Sequence, residues 1–329
     1  MNRSSFRRLL SAGAIALATL ASLPAQAGPF GGLFVFGDSL SDNGNNYLAG
    51  LYNPAQVVTG NSYIPTFTYA PAGTYSNGPV WASYFAAMLG VPLTPSLAGG
   101  GDYAFGGATT GGAGFPYSLR AQADMYLGAT GGTASANALY VVAGGGNNAR
   151  AALSAIGAGA DPFATALATA SAYANDVGII VDELQAAGAQ HILVWNTPNL
   201  GVGPAVIAGG GAALGSFLAS AMNGALAFRL GGEADVTTFD FFGFSTQLST
   251  NPAAFGLTNG SDACGALAGA DCNQYVYWDG IHPTTAGHAA LGAAVFALAV
   301  PEPETYALLG LGLVFVMWQV RRRGPRLGA

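Results

Sequence analysis

The sequence predicts an α/β protein built as a three-layer α/β/α sandwich with a central parallel sheet. Short apolar runs alternate with long alanine-rich stretches, and Gly, Asn or Asp flanks most of the runs. Such alternation predicts strand–helix units, which place helices on both faces of a parallel sheet. The predicted strands are Leu33–Phe36, Ala138–Val142, His191–Trp195 and Val236–Phe241. The predicted helices are Pro79–Leu89, Phe163–Ala187, Leu214–Leu230 and Thr285–Leu298.

The composition indicates a large core and an acidic surface. The chain has 329 residues, of which 51% are hydrophobic, so it can bury a large core. Lysine is absent, and residues 28–300 hold three arginines against fourteen carboxylates, a net charge of −11. Such a surface repels nucleic acid and disfavours unaided binding to anionic lipid. The histidines and cysteines have no metal-ligand spacing.

The N-terminus predicts export. Arg3, Arg7 and Arg8 precede an apolar segment at Leu9–Leu20, and Ala25–Ala27 is a signal-peptidase cleavage pattern. We therefore expect residues 1–27 to be a signal peptide. An uncleaved anchor is the alternative, although the apolar segment is short of the ~20 residues that a membrane span needs. In an exported chain, we expect the two cysteines to form a disulfide; they are Cys264 and Cys272.

A candidate nucleophile follows the first predicted strand. The Gly-Asp-Ser turn after Leu33–Phe36 puts Ser39 at the carboxyl edge of the sheet, where sites form in open α/β folds. Near the other end of the chain, Asp279 and His282 stand three residues apart. A serine hydroxyl needs a base to take its proton, and a carboxylate orients that base. The sequence predicts that Asp279 binds one ring nitrogen of His282 while the other nitrogen faces Ser39.

Four blocks resemble those of the GDSL (SGNH) hydrolases, and the resemblance covers most of residues 30–298. The blocks are Gly37–Leu40, Asp102–Ala108, Gly145–Asn148 and Asp279–His282. The resemblance implies a flavodoxin-like fold of the SGNH-hydrolase type and ester hydrolysis without a cofactor. It also implies catalytic roles for Ser39, Asp279 and His282.

The same resemblance implies an oxyanion hole formed by the Ser39 N–H, the Gly107 N–H and the side-chain amide of Asn147. Two residues depart from the family pattern. Asp102 stands where the family often has Asn, and Asn148 stands where it usually has Asp. The second departure leaves the register open, so Asn148 is an alternative to Asn147. Gly106 is likewise the alternative to Gly107.

Other conspicuous residues have simpler interpretations. We expect His191, which has no motif partner, to be structural, and His288, in the last predicted helix, to be a surface or packing histidine. Asp38 and Asp42 flank the nucleophile and are expected to cap turns. The segment Tyr47–Asn77 is either a loop that controls access to the site or a plain covering loop. Three aromatic residues near the histidine line either the pocket or the core; they are Tyr275, Tyr277 and Trp278.

The C-terminus carries a second sorting signal. Pro301-Glu302-Pro303 precedes the apolar stretch Tyr306–Val320 and the basic cluster Arg321–Arg323. This arrangement resembles the PEP-CTERM sorting tail of Gram-negative bacteria that make exopolysaccharide. The resemblance implies recognition by an exosortase and transient anchoring in the inner membrane; a plain C-terminal anchor is the alternative. We expect a hydrolase domain at residues 28–300 and a sorting segment at residues 301–329.

Together these features predict an exported serine hydrolase, a lipase or esterase that cleaves carboxylic esters. Its expected location is the periplasm, the outer surface or the extracellular matrix of a Gram-negative bacterium. Two alternatives remain. One is a carbohydrate O-acyl esterase acting on exopolysaccharide, and the other is a non-catalytic surface matrix protein on the same fold.

Overall fold

The computed structural model describes residues 29–51, 57–58, 61, 70–71, 73–300, 312, 315–316 and 319. The predicted signal peptide and most of the sorting segment lie outside these ranges, as do many residues of the predicted loop Tyr47–Asn77. In the part of the chain that is described, no helix has the length and apolarity to cross a membrane. The strands are β1 (Gly32–Gly37), β2 (Ala138–Ala143), β3 (Ile192–Trp195), β4 (Val236–Phe239), β5 (Asn259–Ala263) and β6 (Tyr275–Tyr277). The helices are α1 (Asn45–Leu48), α2 (Trp81–Leu89), α3 (Leu119–Ala129), α4 (Gly146–Gly157), α5 (Pro162–Ala186), α6 (Pro204–Ala208), α7 (Ala212–Arg229), α8 (Phe241–Thr250) and α9 (Thr285–Ala299).

The central sheet has the order β1-β2-β3-β4, and every pair is parallel. An extended segment runs along the free edge of β1. This segment is Gly101–Phe105. Its Gly101 O accepts the N–H of Val35 in β1 at 2.9 Å, and its Tyr103 N–H donates to Val35 O at 2.8 Å. With this segment counted as the second strand, the order is 2-1-3-4-5, the flavodoxin-like arrangement. The predicted fold class is therefore confirmed.

Helices cover both faces of the sheet. One face of β1, β2 and β3 packs on α3, α4, α5 and α7, with Phe36 and Tyr173 fully buried between the layers. The other face packs on α2, α8 and α9, with the rings of Trp81 and Trp195 in tilted contact at a centroid distance of 4.3 Å. Because both faces are covered, β1 to β3 are almost wholly apolar, as buried parallel strands are.

The predicted strand Val236–Phe241 is too long. The strand ends at Phe239, and Phe241 is already the first residue of α8. Asp240 causes the change, because its carboxylate accepts the N–H of Gly243 at 3.0 Å and caps the new helix. The apolar residues that follow therefore belong to a helix rather than to the strand.

A small second sheet, β5 with β6, supports the loop that carries the histidine. The predicted disulfide joins Cys264 and Cys272 in this region, with their Cα atoms 5.6 Å apart. The N–H of Gly265, next to the first cysteine, donates to Trp278 O at 2.8 Å. The disulfide loop therefore holds the backbone immediately before Asp279.

Candidate active site

Ser39 lies on a tight turn at the carboxyl end of β1. The carbonyl of Asp38 accepts the N–H groups of Ser41 and Asp42 at 3.0 and 2.9 Å, which closes the turn. Gln122 of α3 fixes the strand just before it, since its side chain accepts the Gly37 N–H at 2.7 Å and donates to Gly37 O at 2.8 Å. The position of the hydroxyl is thus set by the strand, the turn and a buried amide.

The three predicted catalytic side chains form one hydrogen-bonded chain. His282 Nε2 lies 2.8 Å from Ser39 Oγ, and His282 Nδ1 lies 2.7 Å from Asp279 Oδ2. All three residues are buried. The sheet and the β6–α9 loop thus join groups that are 243 residues apart in sequence.

The carboxylate is itself held in place. Asp279 Oδ1 accepts the N–H groups of Ile281 and His282, both at 2.7 Å. Burial alone raises the pKa of Asp279, but the charge of His282 and these hydrogen bonds outweigh it and hold the pKa below its usual value. Asp279 is therefore ionised at neutral pH and suited to orient the imidazole.

The loop ends where α9 begins. The Thr284 hydroxyl accepts the Gly287 N–H at 3.1 Å and so caps the helix. The Trp278 N–H donates to His282 O at 2.8 Å and closes the loop at its other end. His282 is thus fixed between a strand and a capped helix.

Two of the three predicted oxyanion donors are backbone N–H groups. Among the described residues, neither the Ser39 N–H nor the Gly107 N–H has a hydrogen-bond acceptor. The alternative donor, Gly106, gives its N–H to Asp42 Oδ2 at 2.9 Å. The geometry therefore favours Gly107 over Gly106.

The amides of Asn147 and Asn148 point to different partners. Both polar atoms of the Asn148 amide bind Thr110, at 3.0 and 3.1 Å. Asn147 Nδ2 donates one hydrogen to Ala108 O at 2.8 Å and retains a second, while its Oδ1 accepts from Arg150 at 3.1 Å. Asn147 also lines the same cavity as Ser39. The geometry therefore favours Asn147 as the side-chain donor.

Asp102, which stands where the family often has Asn, is held by backbone hydrogen bonds. Its two carboxyl oxygens accept the N–H groups of Ala104 and Asn43, at 3.0 and 2.9 Å. The group is fully buried, and burial raises its pKa well above the usual value. Because the backbone supplies donors here, an acceptor at position 102 serves to join the turn after Ser39 to the segment before Gly107.

The other residues that the sequence analysis singled out have mainly structural contacts. Asp38 accepts the Leu40 N–H at 3.0 Å, and burial raises its pKa to about 6. His288 is fully buried in α9, and burial lowers its pKa to about 3. His191 precedes β3 and contacts Phe30 edge to face. Of the three aromatic residues near the histidine, Tyr277 lines the cavity at Ser39.

Two cavities meet at Asn147 and Arg150. The first, of about 100 Å³, contains Ser39 and His282 and is walled mainly by apolar side chains. The second, of about 1210 Å³, contains Gly107.

Three residues of the site are missing from the sequence interpretation: Gln122, Arg150 and Asn46. Gln122 lies on a helix that the sequence pattern did not predict. Arg150 stands three residues beyond Asn147 in α4, and this helical spacing is the signal that could have found it. Asn46 follows the Gly37–Leu40 block, and the sequence does not reveal that its side chain bonds to Gly106, 60 residues away.

Comparisons with known proteins identify the family of the chain. The model of the GDSL-like lipase/acylhydrolase family matches residues 33–295, and the PEP-CTERM protein-sorting motif matches residues 299–323. Acetylajmalan esterase 2 of Rauvolfia serpentina is 38% identical over 25% of this chain and 24% of its own length. A GDSL esterase/lipase of Arabidopsis thaliana is 36% identical over 33% of this chain and 29% of its own length. The chain thus spans less than a third of the length of these relatives.

Among solved structures, Est24, a carbohydrate acetylesterase from Sinorhizobium meliloti, is similar at 17% identity and a TM-score of 0.42. The match covers 80% of this chain and 96% of that one. The family match extends over most of the chain and includes all four sequence blocks. The chain belongs to the GDSL-like lipase/acylhydrolase family and carries a PEP-CTERM sorting motif at its C-terminus.

Proposed function

We propose that this protein is an exported serine hydrolase that cleaves carboxylic esters. The observation that carries the proposal is the continuous hydrogen-bonded chain from Ser39 Oγ through His282 to Asp279. A neutral imidazole placed in this way accepts the serine proton, and an ionised carboxylate stabilises the resulting cation.

The reaction follows from the geometry. Ser39 Oγ bonds to the ester carbonyl carbon as His282 Nε2 takes its proton. The carbonyl oxygen becomes an oxyanion and accepts from the N–H groups of Ser39 and Gly107 and from the Asn147 amide. The tetrahedral intermediate then expels the alcohol, which receives the proton from His282. Water, activated by the same imidazole, hydrolyses the acyl-enzyme and restores Ser39.

The two cavities indicate the shape of the substrate. We infer that the small apolar cavity takes the acyl group and that the large one takes the alcohol. A cavity of about 100 Å³ holds roughly seven water-sized groups. It therefore suits a short acyl chain, whereas the large cavity, of about 1210 Å³, admits a bulky alcohol.

A substrate panel tests this assignment. We expect kcat/KM on nitrophenyl esters to be at least about tenfold higher for butyryl than for dodecanoyl chains, because the longer chain exceeds the small cavity. The Ser39→Ala variant gives the background rate. A dodecanoyl ester cleaved as fast as the butyryl ester would contradict the cavity assignment. Failure to hydrolyse any ester would contradict the proposed activity.

A carbohydrate O-acyl esterase is the second candidate, and the large cavity favours it. The cavity beside Gly107, of about 1210 Å³, is large enough to admit a sugar residue. The C-terminal sorting motif resembles the tail found in bacteria that make exopolysaccharide. Release of acetate from O-acetylated matrix polysaccharide, at a kcat/KM above that on acetyl nitrophenyl ester, would support this candidate. A non-catalytic matrix protein would release no acetate and hydrolyse no ester.

We further propose that the hydrolase domain comprises residues 28–300 and that an exosortase removes the segment 301–329 after transient anchoring in the inner membrane. The sorting motif at residues 299–323 supports this proposal. Intact-mass analysis of the protein released from a native Gram-negative host should find a chain that begins near Gly28 and ends near Pro301. A released chain that still contains Arg321–Arg323 would contradict it.

A further inference from the structure

The Gly107 N–H, the proposed oxyanion donor, belongs to a peptide unit whose orientation the backbone alone does not fix. Gly107 has φ of +86°, in the left-handed region that glycine adopts easily. A glycine on each side of a peptide unit leaves its plane free to rotate, which would turn the N–H away from the substrate. A useful oxyanion donor at this position therefore needs something that holds the plane.

Asn46 holds that plane from the opposite side. Its Nδ2 donates to Gly106 O at 3.0 Å. The Gly106 carbonyl and the Gly107 N–H belong to one trans peptide unit, so they point in opposite directions. A bond that fixes the carbonyl toward Asn46 therefore directs the Gly107 N–H away from Asn46.

Asp42 holds the preceding peptide. Its Oδ2 accepts the Gly106 N–H at 2.9 Å, and its Oδ1 accepts the N–H groups of Gly44 and Asn45 at 2.9 and 2.6 Å. Asp42 lies three residues after Ser39 on the same turn. One short segment thus carries the nucleophile and holds the loop that contains the oxyanion donor.

Tyr75 completes the arrangement. Asn46 Nδ2 also contacts Tyr75 Oη at 2.6 Å, and the Tyr75 ring lies 5.5 Å from the His282 ring, centroid to centroid. A Cβ built on Gly106 would lie 2.2 to 2.4 Å from the Tyr75 ring, so the loop is confined on this side as well. All of these side chains are buried, which shields their hydrogen bonds from water.

We propose that Asn46 and Asp42 are positioning residues for the oxyanion hole, which hold both sides of Gly106 and so fix the direction of the Gly107 N–H. The proposal rests on the proposed hydrolysis through Ser39. Asn46 borders the large cavity, but both hydrogens of its Nδ2 are bound by Gly106 O and Tyr75 Oη, so the expected signature is a loss of transition-state stabilisation with substrate binding little changed.

The test compares Asn46→Ala with a matched amide elsewhere. Asn223 donates to Thr197 O at 2.9 Å and accepts the Thr197 N–H at 2.7 Å, so its side-chain amide fixes the backbone of a different loop. We expect Asn46→Ala to lower kcat by about tenfold to hundredfold with KM within about twofold. Its affinity for a trifluoromethyl ketone should fall in parallel. Asn223→Ala should lose thermal stability but keep kcat within about twofold.

The controls separate the proposal from the activity on which it rests. Turnover by the wild-type protein and its loss in Ser39→Ala establish the hydrolysis first; without them the proposed function fails. With them, a folded Asn46→Ala variant whose kcat is unchanged overturns the positioning role. If that variant does not fold, the isosteric Asn46→Asp decides, since its carboxylate repels the Gly106 carbonyl and should lower kcat at least as far. If neither folds, Tyr75→Phe must lower kcat severalfold, and an unchanged kcat overturns the proposal.

Discussion

Replacing Ser39 with alanine is expected to lower kcat by about 10⁴-fold or more, because the variant has no nucleophile to form the acyl-enzyme. The hydroxyl bonds to His282 Nε2, whereas the turn itself is held by the backbone and by Gln122. The loss of one hydrogen bond should cost about 1 kcal/mol, so the domain should stay folded.

The measurement is kcat on a short-chain nitrophenyl ester, with the thermal unfolding midpoint recorded for each variant. Ser41→Ala is the matched control from the same turn. Its hydroxyl accepts from Trp81 Nε1 at 3.0 Å and has no part in the reaction. We expect Ser41→Ala to lose stability but to keep turnover within a few fold. Substantial activity in a folded Ser39→Ala variant would show that another residue is the nucleophile.

The second large effect is expected for Asp279→Asn, a loss of about 10³- to 10⁴-fold in kcat. Two N–H groups bind Asp279 Oδ1, and they require an oxygen at that position. The asparagine oxygen must therefore stay there, which places the amide NH₂ against His282 Nδ1. That nitrogen then becomes an acceptor, so the neutral imidazole carries its proton on Nε2 and cannot accept from Ser39.

Asp240→Asn is the control for this change. Asp240 caps α8 through the Gly243 N–H, a task that asparagine performs about equally well. We expect Asp240→Asn to leave kcat unchanged, and both variants to give circular-dichroism spectra like the wild type. If Asp279→Asn retained activity within tenfold of the wild type, Asp279 would not determine the tautomer of His282.

Much of the fold follows from local pattern. Each predicted strand and helix exists, with ends mostly within two residues, because buried strands need apolar runs and Gly or Thr residues mark many of the boundaries. The edge segment at Gly101–Phe105 was not predicted, since Gly101 and Asp102 keep it from forming an apolar run. Its place beside β1 depends on backbone hydrogen bonds to a strand more than 60 residues away.

The site shows a similar division. Motif spacing predicts Ser39, Asp279 and His282, and the structure places them within hydrogen-bonding distance of one another. Motif spacing does not separate Asn147 from Asn148, because neighbouring side chains on α4 point about 100° apart and a shift of one residue changes which of them faces the site. Only the three-dimensional contact of Asn148 with Thr110 separates them.

The most direct test of the account is the site of reaction with a fluorophosphonate. This reagent phosphonylates serines that a neighbouring base activates, so it reports the pairing of Ser39 with His282. We predict one adduct per folded chain by intact mass, mapped to Ser39 by peptide sequencing and lost when the protein is unfolded before labelling. An adduct on a different serine, or an unmodified Ser39 in a protein that hydrolyses esters, would contradict the account.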